Sequence, residues 1–250
     1  MRYFMKILSL FIGFTPFLYS QKVEDKEKWQ RVYLATYPRC GNHWVRSLTE
    51  EATHIATGAV YRDKEPMHLK TPFAWGGYAA EHGYGGHCRY PERGDIVLIK
   101  THYPAKPKTP FDLKPAIKTI RIVRHPVASF YSHFLHAGHQ LPDDGKLPSW
   151  YVEKSIADWR QFETYWNQQS HVFTIRYEDL LSDIHFYFRQ LLNEMGYSLT
   201  EEEINHAIEK FPPHQGGGVN PLNVYHHNDL RLISKKLKGL MKRYDYTINE

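Results

Sequence analysis

The chain has 250 residues, of which 42% are hydrophobic and 24% are charged, a composition typical of a globular protein and unlike a disordered or collagen-like chain. Its net charge of +5 suits an anionic ligand but is too small and too dispersed to indicate a nucleic-acid-binding surface. Two cysteines, Cys40 and Cys88, exclude a disulfide-rich scaffold and a four-cysteine zinc module. They leave open whether one disulfide forms or both thiols stay free.

The N-terminal segment resembles an export signal. Arg2 and Lys6 precede an apolar run over residues 7–19, and a cleavage site is expected after Ser20. The run is short for a spanning helix of about 20 residues, so a cleaved signal, an uncleaved anchor and a buried element all stay open. We expect residues 1–20 to be a signal peptide or anchor and the only membrane contact, and residues 21–250 to form one domain. Export or membrane anchoring is the expected localisation, with the cytoplasm as the alternative.

Apolar runs alternate with stretches of helical periodicity along the rest of the chain. Strands are predicted over residues 31–36, 95–100, 117–123 and 171–177. Helices are predicted over residues 44–55, 126–135, 149–166, 186–195, 200–211 and 229–244. Nearly continuous apolar strands that alternate with helices predict an α/β fold, a parallel-sheet three-layer sandwich with both faces of the sheet covered. Ligands of such sheets bind beyond the carboxyl ends of the strands.

A first candidate site lies between the first strand and the first helix, over residues 39–44. Gly41 permits close backbone approach, and consecutive amides at a helix N-terminus bind anions. The segment lacks the Gly-Lys-Ser/Thr ending of a Walker motif. It therefore predicts either a P-loop-like phosphate site or only a tight turn between strand and helix.

A second candidate lies at the end of the next long strand. Lys100 and His102 are two positions apart, so their side chains point to the same side of the strand. A cation beside a potential base at a ligand-binding edge is a plausible catalytic pair. The alternative is a structural histidine that only satisfies a hydrogen bond.

A third candidate follows the strand over residues 117–123. Arg124 precedes a helix that carries Ser129 and Ser132, which are three residues apart and are expected on one face, away from the apolar stripe. Together with the helix start they could bind a second phosphate. The alternative is an exposed first turn with an incidental arginine.

Four segments, in this order, resemble motifs of the sulfotransferase family. Thr-Tyr-Pro-Arg-Cys-Gly-Asn-His-Trp at 36–44 resembles the family's 5′-phosphosulfate loop, and Lys-Thr-His-Tyr-Pro at 100–104 resembles its Lys-Thr-His-x-Pro strand end. Arg-His-Pro at 124–126, with Ser132, is similar to the 3′-phosphate motif, and Arg-Tyr-Glu-Asp-Leu at 176–180 resembles a later family segment. One such motif is weak evidence, whereas four in family order are specific.

The resemblance implies transfer of the sulfuryl group of 3′-phosphoadenosine 5′-phosphosulfate (PAPS) to an acceptor hydroxyl, without a metal ion. Positioning and charge neutralisation matter more than covalent catalysis in an in-line transfer of this kind. By the same resemblance, His102 is the general base that takes the hydroxyl proton. Lys100 and Arg39 neutralise the charge that develops as the sulfuryl group leaves.

The resemblance also assigns residues to the nucleotide. Trp44 and Tyr177 are expected near the adenine, and Arg124 with Ser132, or Ser129 in its place, near the 3′-phosphate. The loop expected to hold the 5′-phosphosulfate consists of Arg39, Cys40, Gly41, Asn42 and His43.

The acceptor is expected to be a carbohydrate. Residues 36–63 are most similar to the WSC-domain-containing branch of the family, which acts on glycans, although no WSC domain is present. The segment 75–87, rich in Gly, Tyr and His, could form the acceptor pocket or remain a mobile loop. Because PAPS must reach the same compartment, an exported chain would fit a eukaryotic secretory lumen.

The alternative function is a catalytically inactive nucleotide-binding or interaction module on the same fold. Arg39 stands where many family members have lysine, and the late Arg-Lys-Gly element has no clear counterpart, unless the backbone of residues 214–218 replaces it. The intact pair of Lys100 and His102 favours an enzyme. A phosphotransferase would require the missing Walker lysine. Histidines at 133, 136 and 139 are spaced by three residues, so successive side chains shift around the helix and do not share one face. This spacing disfavours a metal site.

Overall fold

Five parallel strands form one sheet in the computed structural model, which describes residues 29–60, 84, 87–104, 115–213 and 219–248. The strands are β1 (Gln30–Thr36), β2 (Gly58–Ala59), β3 (Ile96–Thr101), β4 (Lys118–Val123) and β5 (Val172–Arg176). Their order in the sheet is β2-β3-β1-β4-β5. The four longer strands match the predicted ones to within one or two residues at each end, and the two-residue β2 was not expected from the pattern.

Helices fill the connections between the strands. They are α1 (Asn42–Thr53), α2 (Pro126–His136), α3 (Ser149–Asn167), α4 (Tyr177–Ser182), α5 (Ile184–Met195), α6 (Glu201–Lys210) and α7 (His227–Lys242), with a 3₁₀ helix at Pro221–Val224. Local signals mark several starts: Pro126 begins α2, and Thr200 and Glu203 form a reciprocal capping box at α6. The predicted α/β fold is confirmed, and the short α4 is an addition to it.

Two ion pairs of β4 show that helices cover both faces of the sheet. Lys118 donates to Glu194 of α5 at 2.6 Å, whereas Arg121 lies 3.5 Å from Glu163 of α3. Residues three apart on a strand point to opposite faces, so α5 and α3 lie on opposite sides. The β1 residues from Arg31 to Thr36 are all buried, as expected for a central strand covered on both faces. The predicted three layers are therefore present.

The strand order brings the candidate residues together. β1 lies between β3 and β4, so the carboxyl ends of these three strands are neighbours at one edge. After β1 the chain adds β2 and β3 on one side of β1, and it then crosses to the other side to form β4 and β5. The sheet therefore has a topological switch point at the carboxyl end of β1. All three candidate clusters follow these strand ends.

Several predictions fall outside the described residues. They concern the signal or anchor at residues 1–20 and the glycine-rich stretch 214–218. They also concern the segment 75–87, of which the structure describes only Tyr84 and His87. In the part of the chain that the structure describes, no helix is both long and apolar enough to cross a membrane. Cys40 and Cys88 are buried and unpaired, which answers the disulfide question in favour of two free thiols.

Candidate active site

The turn between β1 and α1 has two residues in left-handed backbone conformations. Arg39 has φ 68° and Gly41 has φ 87°, and Gly41 is the N-cap of α1. A Cβ atom at Gly41 would lie 2.8 Å from Cδ2 of Tyr177, so the ring of Tyr177 rests directly on this glycine. The turn therefore needs glycine for two reasons, its backbone conformation and the close approach of an aromatic ring.

Asn42 begins α1 with its side chain buried. Among the described residues, its Oδ1 has no hydrogen-bond partner, and no side chain caps the first turn of α1. Buried polar atoms are almost always satisfied, so this acceptor requires a donor, such as a hydroxyl or amino group of a ligand. The anion-binding feature of the loop is its backbone, since the amides at the start of α1 have no side-chain cap.

Arg39 connects this turn to α2 and to the end of β4. Its Nε donates to Oγ of Ser132 at 3.1 Å, and its Nη1 lies 3.3 Å from Nδ1 of His136. Its carbonyl oxygen accepts from Nη1 of Arg124 at 2.9 Å. The structure thereby brings together three predicted site residues that are up to 93 positions apart in the chain. His136, which the sequence analysis considered only as an unfavourable metal ligand, is a further neighbour of Arg39.

Arg124, Tyr177 and Trp44 form one wall of the site. The guanidinium of Arg124 lies over the ring of Tyr177, 4.5 Å from its centroid. The rings of Tyr177 and Trp44 meet edge to face at 6.1 Å, and Nε1 of Trp44 donates to the carbonyl of Phe211 at 2.8 Å. An aromatic pair beside an arginine is a suitable environment for a phosphorylated nucleoside.

His102 is buried just beyond the end of β3 and is held by β1. Its Nδ1 lies 2.7 Å from the carbonyl oxygen of Thr36 and 3.2 Å from the hydroxyl of the same residue. A carbonyl can only accept, so Nδ1 carries the proton and Nε2 is the basic nitrogen of the neutral ring. This tautomer is the one a general base needs, because the ring presents an unprotonated nitrogen away from β1.

Lys100 is buried and is turned toward α1. Its ammonium donates to Nε2 of His43 at 3.2 Å, and the ring of His43 lies 5.1 Å from the ring of Tyr84. Lys100 and His102 therefore contact the elements on either side of the turn, Lys100 the start of α1 at His43 and His102 the end of β1 at Thr36.

A buried polar network behind His43 was not found by sequence reasoning. Oε1 of Glu50 accepts from the backbone amide and the hydroxyl of Thr57 and from the amide of Tyr84. Arg46 donates to Thr57 at 2.8 Å and stacks on the ring of Tyr84. The spacing of Arg46 and Glu50, four residues apart on an otherwise buried helix face, was the available signal.

Cys40 of the turn and Ser129 of α2 are buried against each other. Cys40 is fully buried, its Sγ lies 3.5 Å from Oγ of Ser129, and its amide donates to the carbonyl of Tyr37. Burial raises the pKa of the Cys40 thiol to about 12, so it carries no charge near neutral pH. Ser129 is completely buried as well, and both serines face the turn, Ser129 through Cys40 and Ser132 through Arg39. Ser132 alone of the two contacts Arg39.

Glu178 supports the turn that carries Arg124. Its carboxylate accepts from the amide of His125 at 2.9 Å and from the hydroxyl of Tyr246 at 2.6 Å. Nε2 of His125 lies 3.0 Å from the carbonyl of Thr247, and burial lowers the pKa of this histidine. Glu178 thus has a supporting role, and the residues after α7 take part in it.

Taken together, the described residues bring Arg39, Lys100, Arg124 and His102 to one edge of the sheet. Arg39, Lys100 and Arg124 provide positive charge for an anionic ligand, and His102 provides the base. In residues 29–60, 84, 87–104, 115–213 and 219–248, no group of three or more His, Cys, Asp or Glu side chains could hold a metal ion. The arrangement can bind a doubly phosphorylated nucleotide and take a proton from a hydroxyl.

Comparison with known proteins identifies relatives over most of the chain. Residues 30–214 match the family model described as sulfotransferase domain. Bovine (Bos taurus) sulfotransferase 1A1 is 28% identical over 242 residues, which cover 88% of this chain and 77% of that protein. WSCD family member CG9164 of Drosophila melanogaster is 28% identical over 188 residues, or 70% of this chain. The match spans about half, 53%, of the length of that WSCD relative.

Solved structures with similar folds include two that hold the nucleotide PAP. Mouse sulfotransferase SULT7A1 complexed with PAP has a TM-score of 0.53 and 16% identity, with 86% of this chain and 85% of that chain covered. Retinol dehydratase in complex with androsterone and the inactive cofactor PAP has a TM-score of 0.53 and 14% identity, with 87% and 82% covered. At these identities the likeness concerns the fold.

Proposed function

This chain belongs to the sulfotransferase family, and we propose that it transfers the sulfuryl group of PAPS to a hydroxyl of a carbohydrate. One observation carries the proposal: the segment from Thr36 to His43 receives hydrogen bonds from His102, Lys100 and Arg124. Motifs that are distant in sequence thus lie together, which supports a joint role in binding the donor and the acceptor hydroxyl.

The residues present fit PAPS. The amides at the start of α1 have no side-chain cap, and Arg39, Lys100 and Arg124 lie around the turn. Arg39 and Lys100 would hold the 5′-phosphosulfate, Arg124 and Ser132 the 3′-phosphate, and Trp44 with Tyr177 the adenine. When bound, PAPS supplies the sulfuryl group and provides the phosphate that leaves.

His102 acts as the general base of this reaction. Nε2 accepts the proton of the acceptor hydroxyl while the oxygen attacks sulfur, and the proton stays on the imidazole. The carbonyl of Thr36 holds the ring and stabilises the imidazolium through Nδ1. Lys100 and Arg39 stabilise the negative charge that grows on the departing phosphate oxygen. Because both cations are held by neighbours in advance, little reorganisation is needed when that charge develops.

The carbohydrate part of the proposal depends on residues 36–63, which resemble the glycan-directed branch of the family. The resemblance of residues 1–20 to an export signal supports a location in a secretory lumen or at a membrane. The second candidate function, a module that binds the nucleotide without turnover, is favoured by Arg39 in place of the commoner lysine.

A calorimetric titration of the full chain tests the nucleotide site. PAP (3′-phosphoadenosine 5′-phosphate) is expected to bind in the micromolar range, and AMP, which lacks the 3′-phosphate, much more weakly. Arg124→Ala should reduce the affinity for PAP at least about tenfold, as expected when a charge-assisted contact is lost, and change that for AMP little. Arg243→Ala, an exposed arginine outside the site, is the matched control.

An equal loss for PAP and AMP would contradict the role of Arg124, since that pattern means that the whole loop has collapsed. Transfer is then measured with labelled PAPS and a panel of hydroxylated glycans, phenols and sterols. Turnover on phenols or sterols but on no glycan would remove the carbohydrate part. Tight PAP binding without turnover on any acceptor would favour the inactive module.

A further inference from the structure

The last helix, α7, and the residues after it line a groove of about 810 Å³. Its lining includes a row of basic side chains, which we call the basic row: Arg231, Lys235, Lys238 and Lys242. None of these residues belongs to the site described above, and no motif of the sequence pointed to them.

The spacing of the basic row places all four cations on one side of α7. Offsets of four, seven and eleven residues fall on the same helix face, and the row extends over about 16 Å along the axis. Ile233 and Leu237, on another side of the helix, are completely buried in the core. All members of the basic row are exposed, so their charges face the groove and solvent.

The charges of the basic row are not compensated within the described part of the chain. No ion pair joins any of the four to a carboxylate of the described residues, although Asp245 also lines the groove. Neighbouring cations on one helix face repel each other, and a polyanion in the groove would relieve that repulsion. The groove therefore suits a ligand with repeated negative charges.

The remaining lining favours a carbohydrate over other polyanions. Ser234 and Thr247 offer hydroxyls for hydrogen bonds, and the half-buried Ile248 offers aliphatic surface. The aromatic residue among the lining side chains, Tyr246, is buried, with its hydroxyl bonded to Glu178, so bases of a single-stranded nucleic acid have no ring to stack on. The described lining also presents no exposed large apolar side chain that would insert into a bilayer.

The groove adjoins the nucleotide site through the residues after α7. Thr247 and Tyr246, which line the groove, contact His125 and Glu178, and His125 directly follows Arg124. Resting on the proposed function, we propose that this groove binds an anionic carbohydrate chain, carboxylated or sulfated, and so serves as a docking surface for the acceptor. Docking raises the local concentration of acceptor units near the catalytic edge.

Charge-neutral substitutions test the proposal. The four members of the basic row are changed together to glutamine, and binding to an immobilised heparin dodecasaccharide is measured against a neutral dextran of similar size. A matched control removes four exposed cations that lie outside the groove: Arg93→Gln, Arg160→Gln, Lys236→Gln and Arg243→Gln. Both variants have the same net charge, so the comparison separates a site from overall attraction.

The groove variant is expected to bind the heparin fragment at least about tenfold more weakly, because four partly solvated charge contacts are lost together. The control variant should stay within about twofold of the parent, and dextran should bind none of them. For the groove variant, the dependence of heparin affinity on salt concentration should also become shallower.

Equal loss in both variants, no loss in either, or no heparin binding by the parent would each overturn the proposal. So would tighter groove-dependent binding of single-stranded DNA or of vesicles with anionic lipid than of heparin. PAP affinity is measured on the same samples and should not change, because the basic row lies outside the nucleotide site. Groove-dependent heparin binding without PAP binding would refute the proposed function and leave the groove as a carbohydrate site.

Discussion

Single residues in this site acquire their chemistry from one or two neighbours. The carbonyl of Thr36, 2.7 Å from Nδ1, selects the tautomer of His102, and His43 receives the ammonium of Lys100. Cys40 shows the opposite case, since it lies in the same loop but is buried against Ser129 as a neutral thiol. Membership in a motif therefore does not by itself make a side chain part of the chemistry.

His102→Asn separates the base from the structural hydrogen bond. The asparagine amide can still donate to the carbonyl of Thr36 but has no basic nitrogen, whereas His102→Ala loses both. We expect kcat to fall about 10²–10⁴-fold in both variants, and the dissociation constant of PAP to stay within about twofold. Steady-state kinetics with labelled PAPS and calorimetry measure the two quantities. Full turnover in His102→Asn would remove this residue from proton transfer.

At the scale of structural elements, the turn from β1 to α1 is stabilised by residues of other elements. The ring of Tyr177, at the start of α4, lies on Gly41, and Arg124, at the end of β4, binds the carbonyl of Arg39. Arg39 and Gly41 both adopt left-handed conformations, which are unfavourable for a residue with a Cβ atom. The anion-binding shape thus depends on contacts from two other strand ends as well as on the local sequence.

Gly41→Ala tests this packing, with Gly94→Ala as its control. Both glycines have φ near +90°, but a Cβ at Gly94 meets nothing within 4 Å, whereas one at Gly41 meets the ring of Tyr177. Gly94→Ala should lower the free energy of unfolding by about 1 kcal/mol, from backbone strain alone. Gly41→Ala should lower it by about 2–4 kcal/mol, because the ring must also move.

Urea unfolding measures the stability of both glycine variants, and calorimetry measures their PAP affinity. PAP binding should weaken in Gly41→Ala only, since Tyr177 forms part of the nucleotide wall. Equal destabilisation of the two variants would mean that the close contact between position 41 and Tyr177 does not affect the free energy of unfolding.

At the scale of the whole molecule, a buried carboxylate links three separate parts of the chain. Glu51 of α1 lies 2.9 Å from Lys210 at the end of α6, 3.0 Å from His87 and 3.2 Å from His206. Burial, the largest single effect, opposes ionisation of Glu51, but the hydrogen bond and charge of Lys210 together with the charges of His87 and His206 outweigh it, and the pKa of this carboxyl is lowered. The global stability should therefore depend on pH through this residue.

The sign of that dependence follows from the lowered pKa. A group with a folded-state pKa below its unfolded value, about 4.3 for glutamate, stabilises the fold above that value. This contribution is lost as the pH falls through the folded-state pKa. Glu51→Gln should accordingly reduce the free energy of unfolding by about 1–2 kcal/mol at pH 7 and by much less near pH 3.

The measurement is urea unfolding of the parent, Glu51→Gln and Glu209→Gln at both pH values. Glu209 is an exposed glutamate of α6, so its variant removes one negative charge without a buried ion pair. If Glu51→Gln lowers the free energy of unfolding by the same amount at pH 3 and pH 7, the packing of the side chain, and not its charge, stabilises the contact between α1 and α6.

Much of the site could be recognised from the sequence because its motifs are local. Gly41 at a strand–helix turn, Lys100 and His102 at a strand end, and Arg124 before a helix all have spacings that short-range geometry explains. Their partners are long-range: Phe211 binds Trp44 from 167 positions away, and Tyr246 binds Glu178 from 68. Such contacts depend on how elements pack against each other, and this packing cannot be predicted from local patterns in one sequence.

The sequence by itself determined the α/β class, the main strands and helices, and the family, because periodicity and turn residues are local properties of the chain. Only the tertiary structure decided the order β2-β3-β1-β4-β5. Strands that are apolar on both faces have similar sequence patterns, so the pattern does not tell which strands are neighbours. It also decided that Ser132 contacts Arg39 while Ser129 is buried, and that Arg231, Lys235, Lys238 and Lys242 line a groove. The physical reason is the same in each case: burial and neighbourhood arise when elements pack, and residues with similar local patterns then meet different surroundings.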